Sequence, residues 1–272
     1  SERASTPLAM SSEENDLPAA SAPEADTSPR AVVVVGVTGE GKSTTCNTLS
    51  SSRAFAVSDG FASETAHVAH IDYLHIDGDE VHEMRVVDTV GLQDTNLPAD
   101  EVMRRLAAFA GLVPNGIACF LFVVRYGRFK PEHEAAVDAF VANVGEGALR
   151  HTLLVFTHCG VGSDALARTL EEHAPDSLRR LLPKFAGPPV GIDNVQAPRE
   201  GRATLHRAIG AAISRAEGTL YTHAALGGVR CDAAREAERA AFAAAVADWR
   251  KRGSGPVQIE RQFEQLKVDG AT

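Results

Sequence analysis

The feature that most constrains the fold is a run of β-branched residues that leads into a glycine-rich loop. Residues 31–35 read AVVVV, a pattern typical of a parallel strand that is covered on both faces. Residues 36–43 then read GVTGEGKS, which fits the pattern G-x-x-x-x-G-K-S/T and runs into helical sequence. A strand, such a loop and a helix in this order predict a loop that binds the phosphates of a nucleotide.

The residue types of this loop suit a crowded, negatively charged ligand. Glycines leave room for backbone N–H groups to approach phosphates, and the N-terminus of the next helix adds its positive dipole end. Lys42 is placed to reach the β and γ phosphates, and the Ser43 hydroxyl is placed to ligate Mg²⁺. The predicted nucleotide-binding residues of this segment are Gly39, Glu40, Gly41, Lys42, Ser43 and Thr44.

A second motif follows a later apolar strand. The run at residues 84–87 leads to Asp88, and Gly91 completes the pattern D-x-x-G. In P-loop proteins such a carboxylate lies beside the magnesium ion, and such a glycine offers its amide to the γ phosphate. Between the two motifs, spacing alone leaves two alternatives for Thr65: it closes over Mg²⁺, or it has no role. The predicted metal ligands are Ser43 and Asp88, with Thr65 as a candidate third ligand.

Apolar runs and helical patterns alternate along the chain. The predicted strands lie at about residues 31–35, 68–76, 84–87, 117–124, 152–156 and 189–192. The predicted helices lie at about residues 42–49, 99–111, 131–144 and 165–182. This alternation implies right-handed crossovers and a mostly parallel sheet. The predicted fold class is therefore α/β, a P-loop NTPase domain with a mostly parallel central sheet flanked by helices and a C-terminal helical extension.

Composition divides the chain into three parts. Residues 1–29 are rich in Ser, Pro, Ala and acids and are predicted to be a disordered acidic tail. Residues 30–218 form the predicted nucleotide-binding domain, and residues 219–272 form the predicted helical extension. Two apolar stripes of helical spacing mark these last parts: Leu205, Ile209 and Ile213, then Phe242, Val246 and Trp249. The second stripe either packs on the domain or faces a partner.

Charge and residue spacing exclude several other classes. The net charge of −9 provides no positive field for nucleic acid, so no nucleic-acid partner is expected. The four cysteines are far apart, which argues against a disulfide framework and a zinc cage. His67, His70 and His75 fall on both faces of a predicted strand and cannot converge on a metal. No apolar stretch approaches the ~20 residues of a membrane-spanning helix, and we expect a cytoplasmic protein.

The motifs together resemble one family. The matching residues are GVTGEGKSTTCNTL at 36–49, DTVGL at 88–92 with Asp94, RYGRF at 125–129 with Glu132 and Glu134, and GEGALRHT at 145–152. This pattern is similar to the immune-associated nucleotide-binding family of GTPases, the AIG/GIMAP group. The segment at 125–129 is similar to a box peculiar to that group. The resemblance covers about residues 31–195.

The resemblance implies a function as well as a fold. It implies a septin-related G domain that binds GTP and GDP with Mg²⁺ and forms a homodimer or oligomer when GTP is bound. It also maps Thr65 onto the switch threonine of the family. Membrane recruitment is common in the group, so peripheral attachment to an organelle membrane is a further expectation.

The base-recognition motif of guanine-binding proteins is incomplete in this chain. The expected pattern N/T-K-x-D after the fifth strand is replaced by THCG at residues 157–160. This start resembles the related Toc GTPases of chloroplast import, which also lack the acid. We therefore predict that His158 stacks on or bonds to guanine and that Asn194 helps from the next loop. The alternative for His158 is a solvated loop histidine.

The predicted activity is slow hydrolysis of GTP. Leu92 follows D-x-x-G, where many small GTPases have a glutamine that orients water, and an aliphatic side chain cannot orient it. In the resembling family an arginine of the box reaches across the dimer, which points here to Arg128. Its alternative is a surface or salt-bridging role. The predicted catalytic residues are Lys42, Thr65, Gly91 and Arg128. The rival functions are a GTP-dependent scaffold without hydrolysis and a P-loop ATPase.

Overall fold

The structure is a computed structural model of the chain. It describes residues 29–55, 69–78, 80–89, 112–113, 115–127, 129–222 and 258–259. Several sequence predictions fall outside these ranges. They are the tail up to residue 28, the helix at 99–111, the stripe of Phe242, Val246 and Trp249, and the site residues Thr65, Gly91 and Arg128.

The described strands form one sheet. They are β1 (Arg30–Val35), β2 (Ala69–Asp77), β3 (Glu80–Asp88), β4 (Cys119–Arg125), β5 (Thr152–Thr157), β6 (Val190–Gly191) and β7 (Gln258–Ile259). Their order across the sheet is β6-β5-β4-β1-β3-β2-β7. All neighbours are parallel except β2, which is antiparallel to both β3 and β7. The predicted mostly parallel sheet is confirmed, with a hairpin and a short last strand at one edge.

Five described helices flank this sheet. They are α1 (Lys42–Ser50), α2 (Pro131–Val144), α3 (Ser163–His173), α4 (Asp176–Leu181) and α5 (Pro198–Arg215). The single helix predicted at residues 165–182 is wrong, because the chain is extended at Ala174 and Pro175 between α3 and α4. A residue before proline is disfavoured in the helical region, and proline cannot donate a helical hydrogen bond. The helix therefore ends and begins again.

The β-branched run of β1 lies at the centre of two apolar layers. Val33 and Val35 face one layer, which includes the α2 residues Val137 and Phe140. Val32 and Val34 face the other layer, which includes the stripe of α5 that Leu205 and Ile209 form. All these strand side chains are buried. Burial on both faces explains why the run is continuous rather than alternating.

The topology brings the described members of the predicted site to one edge of the sheet. Parallel strands end at the same edge, and ligands of open α/β sheets bind outside these carboxyl ends. The phosphate loop follows β1, Asp88 ends β3, His158 follows β5, and Asn194 follows β6. Four chain segments that are distant in sequence thus share one edge.

The chain after α5 returns to the opposite end of the sheet. Tyr221 pairs with Ile117 through two backbone hydrogen bonds of 2.9 and 2.7 Å, just before β4 begins. The Tyr221 side chain is buried, and its hydroxyl donates to the Val144 carbonyl oxygen at the end of α2. Among the described residues, no helix is both long enough and apolar enough to cross a bilayer. The described fold thus includes the first residues beyond the predicted domain boundary at 218, which itself stays a prediction.

Candidate functional site

The phosphate loop depends on glycine for a close backbone approach. Gly36 has a φ of +141°, and a Cβ atom there would collide with the Val123 carbonyl oxygen of β4. Gly39 has a φ of +84°, and no described heavy atom lies within 4 Å of the position that its Cβ would take. An open face with glycine backbone is the surface that a phosphate chain needs for contact with N–H groups. The predicted loop is present and is held against β4.

Lys42 spans this loop with its side chain. Its Nζ donates to the Val37 carbonyl oxygen at 3.1 Å. Burial lowers the pKa of Lys42 from its ordinary value, and the nearby charge of Asp88 opposes this shift. A buried ammonium group is stabilised by negative charge beside it. An anion in the loop would therefore offset the cost of burying Lys42.

Ser43 and Asp88 meet below the loop. The Ser43 Oγ donates to Asp88 Oδ2 at 2.5 Å, which joins the two predicted metal ligands from α1 and β3. Asp88 is 1% exposed, and its Oδ1 has no hydrogen-bond partner in the part of the chain that the structure describes. Burial raises the pKa of Asp88, while the Ser43 hydrogen bond and Lys42 oppose this rise. Two adjacent hard oxygen ligands, one of them with an unused acceptor, fit Mg²⁺ or its bound water.

Glu40 has contacts that the sequence did not indicate. Its backbone carbonyl oxygen accepts the Thr157 hydroxyl at 2.8 Å, and its side chain accepts the backbone N–H of Arg125. The same carboxylate lies 3.4 Å from Nε2 of His133. These partners are far from Glu40 along the chain, so no local pattern could reveal them. The loop is thereby tied to β4, β5 and α2.

The two predicted base contacts lie on adjoining loops. The Cys159 N–H donates to the Ile192 carbonyl oxygen at 2.9 Å and joins the loop after β5 to the loop after β6. His158 is exposed and has a φ of +51°, a left-handed conformation that is uncommon for a residue with a side chain. Asn194 donates from Nδ2 to Thr45 Oγ1 at 3.0 Å. The structure therefore places Asn194 against α1, where its partner Thr45 is two residues after Ser43.

Two neighbouring residues supply polar side chains at this end, Asn194 and Asp193. Asn194 Oδ1 is buried and lacks a hydrogen-bond partner among the residues with described positions. Asp193 has a lowered pKa because the backbone N–H groups of Gln196 and Val195 donate to it, with a smaller contribution from His158. Asp193 was not predicted as a site residue, because a single Asp in a loop matches no motif of its own.

A groove adjoins this end of the site. It has a volume of about 1310 Å³ and is lined by residues of α1, β2 and α5, with Thr44 and Asn194 at the side of the site. On its wall the His75 and His206 rings stack at 3.7 Å with an interplanar angle of 6°. Burial, more than neighbouring charge, lowers the pKa of His206 to about 3.

Solved structures with this fold include plant GTPases. A crystal structure of Toc33 from Arabidopsis thaliana in complex with Mg²⁺ and GMPPNP matches with a TM-score of 0.51 and 19% identity, over 72% of this chain and 87% of that chain. A structure from work on dimerisation and the GTPase activity of atToc33 and psToc159 matches with a TM-score of 0.50 and 21% identity, over 72% and 88%. These likenesses confirm the P-loop G-domain fold.

Sequence relatives are found among the immune-associated nucleotide-binding proteins of Arabidopsis thaliana. Protein 9 is 30% identical over 161 residues, which cover 58% of this chain and 45% of the relative. Protein 7 is 29% identical over 171 residues, which cover 60% and 53%. The matches thus span about half the length of these relatives. The model of the AIG1 family matches residues 30–230; the chain therefore belongs to the AIG1 family, as its motifs predict.

Proposed function

We propose that this chain is a Mg²⁺-dependent GTP-binding switch that hydrolyses GTP slowly and self-associates when GTP is bound. The observation that carries the proposal is the junction of Ser43 and Asp88, 2.5 Å apart, below a loop that Lys42 spans. Family membership and the G-domain fold support it, as do the nucleotide-binding names of the relatives.

The residues of the loop fit a nucleotide triphosphate and a divalent cation. Gly39, Gly41 and their neighbours would hold the phosphates through backbone N–H groups, and the Lys42 ammonium would neutralise part of their charge. Ser43 and Asp88 would hold Mg²⁺ directly or through water, with Thr65 as a proposed third ligand. When bound, Mg²⁺ supplies positive charge against the β and γ phosphates.

Slow hydrolysis is proposed from the residue that follows D-x-x-G. Leu92 cannot orient an attacking water, so an efficient rate needs a group from elsewhere. We propose that Arg128 of a second copy supplies this group, with Gly91 contacting the γ phosphate. An arginine supplied in this way is worth about 10³–10⁵ in rate. Dimerisation is reported as important for the GTPase activity of atToc33 and psToc159, which supports this reading.

Hydrolysis measured across protein concentration tests this part of the proposal. The single-turnover rate per molecule is expected to rise with concentration and to collapse in Arg128→Ala. Arg150→Ala, which removes an exposed arginine near α2, is the matched control and should keep the rise. A flat, negligible rate despite assembly with GMPPNP would instead favour a GTP-dependent scaffold.

Guanine selectivity is proposed to come from His158 and Asn194. The missing acid at residues 157–160 is the reason to consider the rival ATPase function. Competition of GTP and ATP against a fluorescent GDP analogue decides between the two functions. We expect GTP to displace the analogue at lower concentration than ATP and EDTA to weaken displacement by GTP. Equal displacement by ATP would end the guanine assignment. Cytoplasmic location and attachment to an organelle membrane stay predictions.

A further inference from the structure

Residues 125–130 are held to the rest of the domain at three backbone N–H groups. The N–H of Arg125 donates to the carboxylate of Glu40 in the phosphate loop. The N–H of Tyr126 donates to the Thr157 carbonyl oxygen at 2.9 Å. The N–H of Lys130 donates to Nδ1 of His133 at 3.0 Å. The described residues at both ends of this segment are thus held by hydrogen bonds, and Arg128 between them lies outside the described residues.

His133 has a geometry that selects one tautomer. Its Nδ1 accepts a hydrogen bond from Lys130, so the proton of the neutral ring is on Nε2. This Nε2 is buried and has no hydrogen-bond partner among the described residues. The polar atom that faces it is Oε1 of Glu40, 3.4 Å away. The Phe129 ring stacks on the His133 ring, with a centroid distance of 5.7 Å and an interplanar angle of 26°.

Glu40 is in an unusual place for a carboxylate. It lies in a loop built for phosphates, which repel it, and its side chain is 12% exposed. One of its oxygens accepts the Arg125 N–H, and the other lies 3.4 Å from Nε2 of His133. A triphosphate in the loop would add negative charge near this carboxylate and repel it. Since both partners offer N–H groups, this repulsion would favour the contacts of Glu40 with Arg125 and His133.

We propose that Glu40 and His133 are positioning residues that couple the phosphate loop to residues 125–130. The inference rests on the proposed function and adds a physical link between its nucleotide site and residues 125–130, the segment that carries Arg128. Because coupling between two sites is reciprocal, self-association through residues 125–130 would also tighten nucleotide binding. Neither side chain touches the reacting atoms in this proposal.

Hydrogen–deuterium exchange of the full chain tests the coupling directly. Exchange is measured without nucleotide, with GDP and Mg²⁺, and with GMPPNP and Mg²⁺, at a protein concentration where the chain is monomeric. Peptides over residues 36–45 report nucleotide binding, and peptides over residues 125–130 report the coupled segment. We expect GMPPNP to slow exchange in both, by at least about five-fold in the second, the lower range of typical coupling between sites.

Two variants separate coupling from a structural role. His133→Phe keeps an aromatic ring beside Phe129 but removes both nitrogens, and Glu40→Gln keeps the shape but removes the charge. His133→Phe is expected to retain protection of residues 36–45 by GMPPNP while the protection of residues 125–130 falls to less than about two-fold. Glu40→Gln lies in the phosphate loop itself, so it is expected to lower the protection of residues 125–130 by a larger factor than that of residues 36–45. Glu132→Gln is the matched control, because Glu132 is exposed on the same turn of α2 and, among the described residues, has Lys130 at 3.4 Å as its ion-pair partner. It should behave as the unchanged chain does.

The outcomes against the proposal are distinct from failure of the proposed function. If His133→Phe speeds exchange of residues 125–130 equally with and without nucleotide, the role is structural and the coupling is overturned. His133→Gln, whose amide can still donate toward Glu40, should restore part of the protection and serves if the phenylalanine variant unfolds. If residues 36–45 are protected in the unchanged chain but residues 125–130 are not, the coupling fails and nucleotide binding survives. If neither segment responds, the proposed function itself fails, and the coupling with it.

Discussion

The phosphate end and the base end of the candidate site lie on one sheet edge but are built differently. At the phosphate end, Ser43 and Asp88 are within hydrogen-bond distance, Asp88 is buried, and the loop backbone is packed against β4. At the base end, His158 is an exposed loop residue with a left-handed backbone. The first end is set by backbone geometry and burial, and the second by side chains on loops.

This difference indicates where nucleotide selectivity can change within the fold. A substitution in the phosphate loop changes residues that pack against β4 or lie beside buried charges, so we expect it to disturb folding and nucleotide binding together. A substitution at residue 158 changes a side chain that is exposed to solvent, so we expect it to leave the sheet intact. Loops carried by a rigid scaffold vary more readily than the scaffold. The absence of the usual acid at residues 157–160 is therefore compatible with an intact phosphate end.

The largest effect is expected from breaking the phosphate end. In Lys42→Ala, affinity for both GTP and inorganic tripolyphosphate should fall about 100-fold, because a charge-assisted contact is worth up to about 3 kcal/mol. Isothermal titration calorimetry with each ligand measures this loss. Lys184→Ala removes an exposed lysine and should change neither affinity. Binding within about three-fold of the unchanged chain, a small fraction of that energy, would remove the basis of the proposed function.

A smaller effect is expected from lowering the pH, which would protonate His206 on the wall of the groove beside the base end. The pKa of His206 is about 3 in the folded chain, below the ordinary value of about 6.5. The unfolded chain therefore binds more protons between these values, and the free energy of unfolding falls as pH falls through this window. From pH 7 to pH 5 we expect a loss of at most about 2 kcal/mol from this group. The lowered pKa values of His75 and His82 act in the same direction.

Urea unfolding at several pH values measures this loss. His206→Phe should reduce the slope between pH 7 and pH 5, whatever its effect on stability at pH 7, and leave the part that His75 and His82 contribute. His173→Ala, at an exposed histidine of α3, should leave the slope unchanged. A slope of undiminished size in His206→Phe would show that His206 is not a titrating group in this window.

The smallest effect on affinity is expected at the base end, and it distinguishes the two ends of the site most clearly. His158→Ala should weaken GTP binding about five- to ten-fold, because a stacking contact or neutral hydrogen bond is worth about 1 kcal/mol. It should leave tripolyphosphate binding unchanged, since that ligand has no base. Calorimetry with both ligands separates the two ends, and unchanged GTP affinity would support the alternative of a solvated histidine.

Local structure was predicted correctly from the sequence where a short segment determines its own conformation. The loop at residues 36–43 was predictable because its glycines, lysine and serine are consecutive and follow a strand that is buried on both faces. The position of Asp88 at the end of a strand was predictable because an apolar run leads to it. The break between α3 and α4 could have been predicted from Pro175, since the residue before a proline is disfavoured in a helix.

Contacts between distant segments were not predictable. Thr157 binds Glu40 across 117 residues of sequence, and Asn194 binds Thr45 across 149. His133 was unremarkable in the sequence, since one histidine near a helix start has many roles. The edge strand β7 was also missed, because a pairing of two residues, Asp72 with Ile259 and Tyr73 with Gln258, has no local pattern of its own.

The strand β4 is anchored at both ends, and this has a mechanical consequence. Before its first residue, Ile117 is bonded to Tyr221, and at its last residue the N–H of Arg125 is bonded to Glu40. An extended strand of this length, roughly 3.3 Å per residue, hardly stretches. Tension applied at Tyr221 is therefore shared between β4 and its paired neighbours β1 and β5, and β4 is the strand that joins Tyr221 to the phosphate loop.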